Sequence, residues 1–167
     1  MELEGKAHRF GNDINTDYII SGRYKFKIQD PDELAKHVME DLVHDFYKKV
    51  LKGDFIVAGR NFGCGSSREQ APLAIKHSGI SAVLAKSFAR IFFRNSINVG
   101  LMLLECNTDK IKQGDFLAVD AAKGIIHNKT KNIDIPVTPL PDFMIKILND
   151  GGLVNHFKKH GGFSFGT

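Results

Sequence analysis

Three short apolar runs, at 54–58 (DFIVA), 81–85 (SAVLA) and 101–104 (LMLL), recur through the middle of the chain. Each is too short for a helix and is bounded by glycine or polar residues, which marks a strand buried on both faces. Between them lie helix-like segments, near 71–77 and 88–97, the second ending at Asn98 and Gly100. Strand, helix, strand, helix, strand at such short intervals predicts parallel strands joined by crossover helices.

The flanks read differently. Residues 6–10 predict a short strand entering a turn-rich polar loop, 11–17. Between 32 and 51, Leu34, Val38, Leu42, Phe46 and Val50 recur every four residues. This is a helical stripe that admits a break into two short helices, started by Asp32 and Glu33 and stopped by Gly53. Short strands at 115–120, 124–127 and 133–137, separated by tight turns, predict an antiparallel layer. Residues 142–149 predict a closing helix capped by Gly151 and Gly152, and Phe163-Ser164-Phe165-Gly166 is left as a tail without assigned structure. The expectation is one α/β domain over 1–167, with hairpin material packed on an α/β core and a mixed sheet.

Charge narrows the partners. The net charge is +4, from 23 Lys and Arg against 19 Asp and Glu, and no run of five basic residues occurs. A small anionic ligand suits this balance, whereas a nucleic-acid partner is not expected. Cys64 and Cys106 form no Cys-x-x-Cys pair and cannot build a disulfide framework, so a reducing cytoplasmic setting is expected. The first residues lack the apolar core of a signal peptide, and no apolar run has the length of a membrane span. Seven histidines are scattered without an evident ligand spacing, so no metal is expected on this chain.

The least ordinary stretch is Gly59-Arg60-Asn61-Phe62-Gly63-Cys64-Gly65-Ser66-Ser67-Arg68-Glu69-Gln70-Ala71-Pro72, directly after the strand at 54–58. Ligands in open α/β sheets bind beyond the carboxyl ends of strands, and glycines let the backbone come close to them. Ser66-x-x-Glu69 and Ser67-x-x-Gln70 each match a capping box, which needs no ligand. Pro72 argues against it: a helix begun at Ser66 would hold the proline inside, at a cost of ~3 kcal/mol. A start near Gln70 or Ala71 leaves Ser66, Ser67 and Arg68 in the loop, where a guanidinium fork suits a carboxylate. The glycine spacing fits neither a phosphate loop nor a dinucleotide fingerprint, and Gly-Cys-Gly-Ser-Ser is not a hydrolase elbow. Cys64 is a candidate nucleophile, or a small buried thiol.

The segment 61–72 resembles the signature loop of the small subunits of 3-isopropylmalate dehydratase and of the related swivel domain of aconitase. Asn15-Thr16-Asp17-Tyr18-Ile19-Ile20 is similar to a second segment of that family, and 86–95 with Asn98-Val99-Gly100-Leu101 to a third. The resemblance runs in register from about Gly5 to Gly152. It implies the swivelling β/β/α three-layer fold and a hydro-lyase that moves a hydroxyl between adjacent carbons of a di- or tricarboxylic acid. It implies Ser66 as catalytic base, and Ser67 and Arg68 on substrate carboxylates. It also implies a [4Fe-4S] cluster in a large partner subunit, which fits a chain whose two cysteines cannot supply the thiolates a cluster needs. Where relatives carry His, this chain has Gln70.

Asp13, Asn15 and Asp17 mimic the start of an EF-hand, but Tyr24 stands where the bidentate Glu belongs, so calcium is excluded and a positioning turn is expected. The segment after it, Ser21-Gly22-Arg23-Tyr24-Lys25-Phe26-Lys27, lies where the family's sequence follows substrate choice. Arg23 is a further candidate carboxylate ligand. Phe26 favours an alkyl-bearing malate such as isopropylmalate or dimethylmalate, and Lys25 and Lys27 suit a tricarboxylate such as homocitrate. Solvated lysines flanking a packed Phe are the bland alternative. The candidates are thus a small subunit of 3-isopropylmalate dehydratase, 2,3-dimethylmalate dehydratase or homoaconitase, or, in another class, a module that binds anions or a partner without catalysis.

Overall fold

A computed structural model describes residues 2–162; the segment 163–166 lies outside the described residues. Seven strands, β1 (Glu2–Arg9), β2 (Phe55–Val57), β3 (Ala82–Ala85), β4 (Met102–Glu105), β5 (Phe116–Asp120), β6 (Ile125–Asn128) and β7 (Ile133–Pro136), form one sheet. Its order is β4-β3-β2-β1-β5-β6-β7. β1 to β4 pair in parallel, and β5 to β7 pair antiparallel. β1 joins the two regimes, parallel to β2 on one side and antiparallel to β5 on the other. The sheet curls until its two ends meet: Cys106 bridges Val137, and the Thr138 N–H donates to the Glu105 carbonyl at 3.3 Å.

The period-two alternation of the strands builds two cores. Ala7, Phe55, Val57, Leu84, Leu104, Leu117, Val119, Ile126 and Ile135 point inside the curl. Ile56, Val83, Ala85 and Leu103 point out, onto the helices. Two β layers and one α layer result, as the predicted β/β/α arrangement requires. Each fully buried Leu, Ile or Phe contributes about 1.5–3 kcal/mol.

The helices are α1 (Thr16–Ile19), α2 (Gly22–Lys25), α3 (Pro31–Ala35), α4 (Phe46–Lys49), α5 (Gln70–His77), α6 (Arg90–Val99), α7 (Asp142–Asn149) and α8 (Leu153–His160). The stripe at 32–51 resolves into α3 and α4 with turns between them. Met39 and Asp45 both take φ 55, which the right-handed helix does not admit. Leu34, Val38 and Phe46 are buried as the stripe predicts, but Leu42 is exposed and Met39 takes its place in the core. α1, α2 and α8 have no counterpart in the sequence reading. α5 starts at Gln70, so Pro72 falls in the first turn, where its missing N–H is no loss.

A buried polar pair ties β1 to β2. His8 Nε2 lies 2.8 Å from Asp54 Oδ2, and the Lys6 and Leu51 amides each donate to Asp54 at 3.0 Å. Burial alone would raise the carboxyl's pKa; His8 and the two amides outweigh it and hold it below the ordinary range. Among the described residues, no helix is long and apolar enough to cross a membrane.

Candidate functional site

The carboxyl ends of β1, β2 and β3 bring together three loops that are far apart in sequence. The Asp13 N–H donates to the Arg60 carbonyl at 2.8 Å, and the Gly63 N–H to the Ile14 carbonyl at 2.8 Å. Phe62 is held between the Ser87 carbonyl and the Ala89 amide, at 3.1 and 2.9 Å. Gly63 is obligatory here. It takes φ +83, and a Cβ on it would stand 2.1 Å from Phe92 Cγ.

This junction leaves a cavity of about 290 Å³. Thr16, Gly63, Gly65, Ser66, Ser67 and Arg68 line one wall, and Ala89, Arg90, Ile91, Phe92 and Asn95 the other. The second wall is the first turns of α6, whose N-cap, Ala89, makes no side-chain cap. The residues of this uncapped first turn line the cavity together with Arg68, and Arg90 is one of them, an environment that favours an anion.

Asn15-Thr16-Asp17 grips the serine loop at three levels. The Thr16 N–H donates to the Cys64 carbonyl at 2.9 Å. The Thr16 hydroxyl, buried, donates to the Ser66 carbonyl at 2.9 Å. Asp17 accepts a hydrogen bond from Arg68 Nη1. Across the cavity, Asn95 Nδ2 donates to Ser67 Oγ at 3.3 Å. The segment 11–17 is thus more than a turn: it caps α1 through Asn15 and fixes the backbone that carries Ser66, Ser67 and Arg68.

Of the residues singled out from sequence, Ser66, Ser67 and Arg68 meet at this cavity. Arg23, Phe26 and Lys27 do not line it, and the Lys25 side chain lies outside what the structure describes. Gly22 of the same segment is nevertheless adjacent, since a Cβ on it would lie 3.9 Å from Arg68 Nη1 and 4.0 Å from Asp17 Oδ1. Arg23 Nη2 lies 3.0 Å from Asp41 and 3.9 Å from Glu40. Tyr24 stacks on His37 at 3.8 Å, while Phe26 is 80% exposed and Lys27 is exposed. Gln70 faces away, into a second depression with Ile28, Gln29, Leu34, Glu69 and Leu73. Cys64 lies in the serine loop, bridged to Asn15. Burial pushes the Cys106 thiol up to about 12, so it stays protonated.

Thr16 and Asn95 stand within the two segments that carry the family resemblance, but the sequence reading gave neither a role in the site. Their role depends on the parallel strands, which bring the three loops side by side.

The aconitase C-terminal domain family matches residues 12–109. Small subunit 2 of 3-isopropylmalate dehydratase from Archaeoglobus fulgidus is 60% identical over 161 residues, 96% of this chain and 98% of that one. Small subunit 1 of the same organism is 62% identical over 155 residues, 92% and 96% of the two chains. The crystal structure of 3-isopropylmalate dehydratase (LeuD) from Methanocaldococcus jannaschii superposes with a TM-score of 0.92 at 53% identity, covering 96% of each chain.

Proposed function

The chain belongs to the family of 3-isopropylmalate dehydratase small subunits, and from that premise we propose that its serine-arginine cavity is one half of a hydro-lyase active site. The substrate is a malate bearing an alkyl group, and the reaction isomerises 2- and 3-isopropylmalate by dehydration and rehydration, a step of leucine biosynthesis. One observation carries the proposal: Ser66, Ser67 and Arg68 share a cavity with α6, on a backbone fixed by Thr16 and Asp17.

Each residue has a role. Arg68 offers its guanidinium to a substrate carboxylate, turned into place by Asp17, and the Ser67 hydroxyl, near Asn95, contacts the same group. Ser66 removes the proton from the carbon beside the one that loses hydroxide; rehydration then adds the hydroxyl to the deprotonated carbon, and Ser66 returns the proton to its neighbour. Arg68 and Arg90 in the cavity walls favour the ionised serine that this requires. Phe26 belongs with the alkyl group, on the segment that begins beside Arg68, and Lys25, Lys27 and Arg23 flank it.

A [4Fe-4S] cluster does not suit the donors of this chain, whose two thiols stand on separate elements. We place the cluster in a large partner subunit, consistent with the small-subunit names of the relatives; there it would act as a Lewis acid toward the leaving hydroxyl. The chain as a single swivel domain would supply the base and the carboxylate clamp. Its free thiols suit the cytoplasm.

The experiment is reconstitution with a cluster-bearing large subunit and assay on isopropylmalate, dimethylmalate, homocitrate and citrate. Isopropylmalate should be turned over best. Ser66→Ala should lower kcat by at least about 10² with an unchanged melting temperature. Full activity of that variant would sink the catalytic role, and preference for homocitrate would move the substrate to the tricarboxylates.

A further inference from the structure

We propose that Asp150, His156 and His160 form a binding site for one divalent transition-metal ion, zinc(II) by donor chemistry, which fastens α8 to the body of the fold. These three are the one group of potential ligands among the described residues whose donor atoms converge, all within 4.8 Å of one another.

The geometry follows from the chain. Asp150 caps the C-terminus of α7, with its N–H on the Lys146 carbonyl at 3.1 Å. Gly151 and Gly152, at φ +88 and +115, turn the chain back so that α8 runs beneath that carboxylate. The turn is wedged against α6, because a Cβ on Gly152 would lie 2.4 Å from the Asn98 carbonyl oxygen. His156 and His160 are four residues apart in α8 and share a face, the spacing by which helices present paired imidazoles to a metal.

His156 Nδ1 and His160 Nε2 lie 2.8 and 2.9 Å from one oxygen, Asp150 Oδ2. Zinc bonds of about 2.0–2.2 Å place ligand atoms roughly 3 Å apart or slightly more, so the triad needs only a small opening to admit the ion. Lys159 Nζ holds the other oxygen, Oδ1, at 3.0 Å and so orients the carboxylate as an outer partner does. His156 is fully buried and the Asp150 side chain is 9% exposed, while His160, at 33%, provides the entry.

Two imidazole nitrogens and one carboxylate oxygen are borderline donors. They suit zinc, cobalt or nickel rather than calcium or magnesium, which take oxygen ligands. Water would complete the tetrahedron. The site lies against the C-terminal end of α6, whereas the serine-arginine cavity opens at its N-terminal end, so the two readings stand or fall separately.

The test uses the full untagged chain, stripped with chelator and titrated by calorimetry with zinc chloride, and by visible absorption with cobalt(II). The wild type should bind one equivalent, show the intense bands of tetrahedral cobalt and gain melting temperature with zinc. His160→Ala should lose at least about tenfold in affinity and lose the zinc-induced rise, while His127→Ala, in β6 and paired with Asp134, should retain both. Absence of a saturable one-equivalent phase in the wild type, or an unchanged isotherm in His160→Ala, overturns the site.

Discussion

Arg68 donates to the carboxylate of Asp17, a residue 51 positions earlier in the chain. The arginine is 13% exposed and the aspartate 61%, so the pair is a mostly sheltered cation oriented by an anion in contact with solvent. Asp17→Asn keeps the shape and removes the charge. A charge-assisted hydrogen bond contributes roughly 1.5–3 kcal/mol, which predicts a ten- to hundredfold lower kcat/KM in the reconstituted enzyme. Melting temperature should fall by only a few degrees, since solvent screens the exposed aspartate. An unchanged kcat/KM would show that Arg68 is placed by packing alone.

Thr16 acts one step further from the substrate. Thr16→Val is close in shape and deletes the hydroxyl that binds the Ser66 carbonyl. It should cost about 1 kcal/mol in denaturant unfolding, and it should lower kcat more than it raises KM, because the misplaced group is the proposed base. Thr16→Ser should restore most of kcat.

Gly63→Ala puts a methyl group into Phe92 at a backbone angle that alanine resists. Relief requires the loop to move. Thermal unfolding should register a loss of more than about 1 kcal/mol, with activity falling further than stability. Gly114→Ala offers a comparison, since φ is +85 there but a Cβ meets nothing within 4 Å.

The Asp54 carboxyl is held below its ordinary range in the folded chain, chiefly by His8 and two amides working against burial. A depressed carboxyl pKa contributes stability that is present above the unfolded value, near 4, and is lost as pH falls through the folded one. Stability measured by urea unfolding should therefore drop as pH descends below about 4. Asp54→Asn should be less stable than wild type at pH 7, with the gap narrowing in acid. A constant gap from pH 7 to pH 3 would assign the effect to packing.

Much of this architecture was legible in sequence because it rests on local pattern. Glycine-bounded apolar runs gave β2, β3 and β4, and Pro72 placed the start of α5 beyond the serines. What stayed hidden depends on contacts between distant segments. Met39 leaves the helix to donate its N–H to the Ile19 carbonyl, so a stripe that looked continuous is broken. α8 escaped notice because its buried residue is His156, which a hydropathy pattern counts as polar. The serine loop announced itself, whereas Thr16 and Asn95 gained meaning only through hydrogen bonds to residues 50 and 28 positions away. Gln70, conspicuous beside the serines, turns out to face Ile28 and Leu34 instead of the cavity.

The contact of Cys106 with Val137 closes a curl whose outermost strands would otherwise be open at that end. Unpaired strand rims recruit strands from other copies, and the usual outcome is polymerisation into insoluble ribbons. By joining its own rims the chain removes part of that template before any partner arrives. Between copies of this chain, that end of the sheet therefore offers fewer unpaired backbone groups for strand addition.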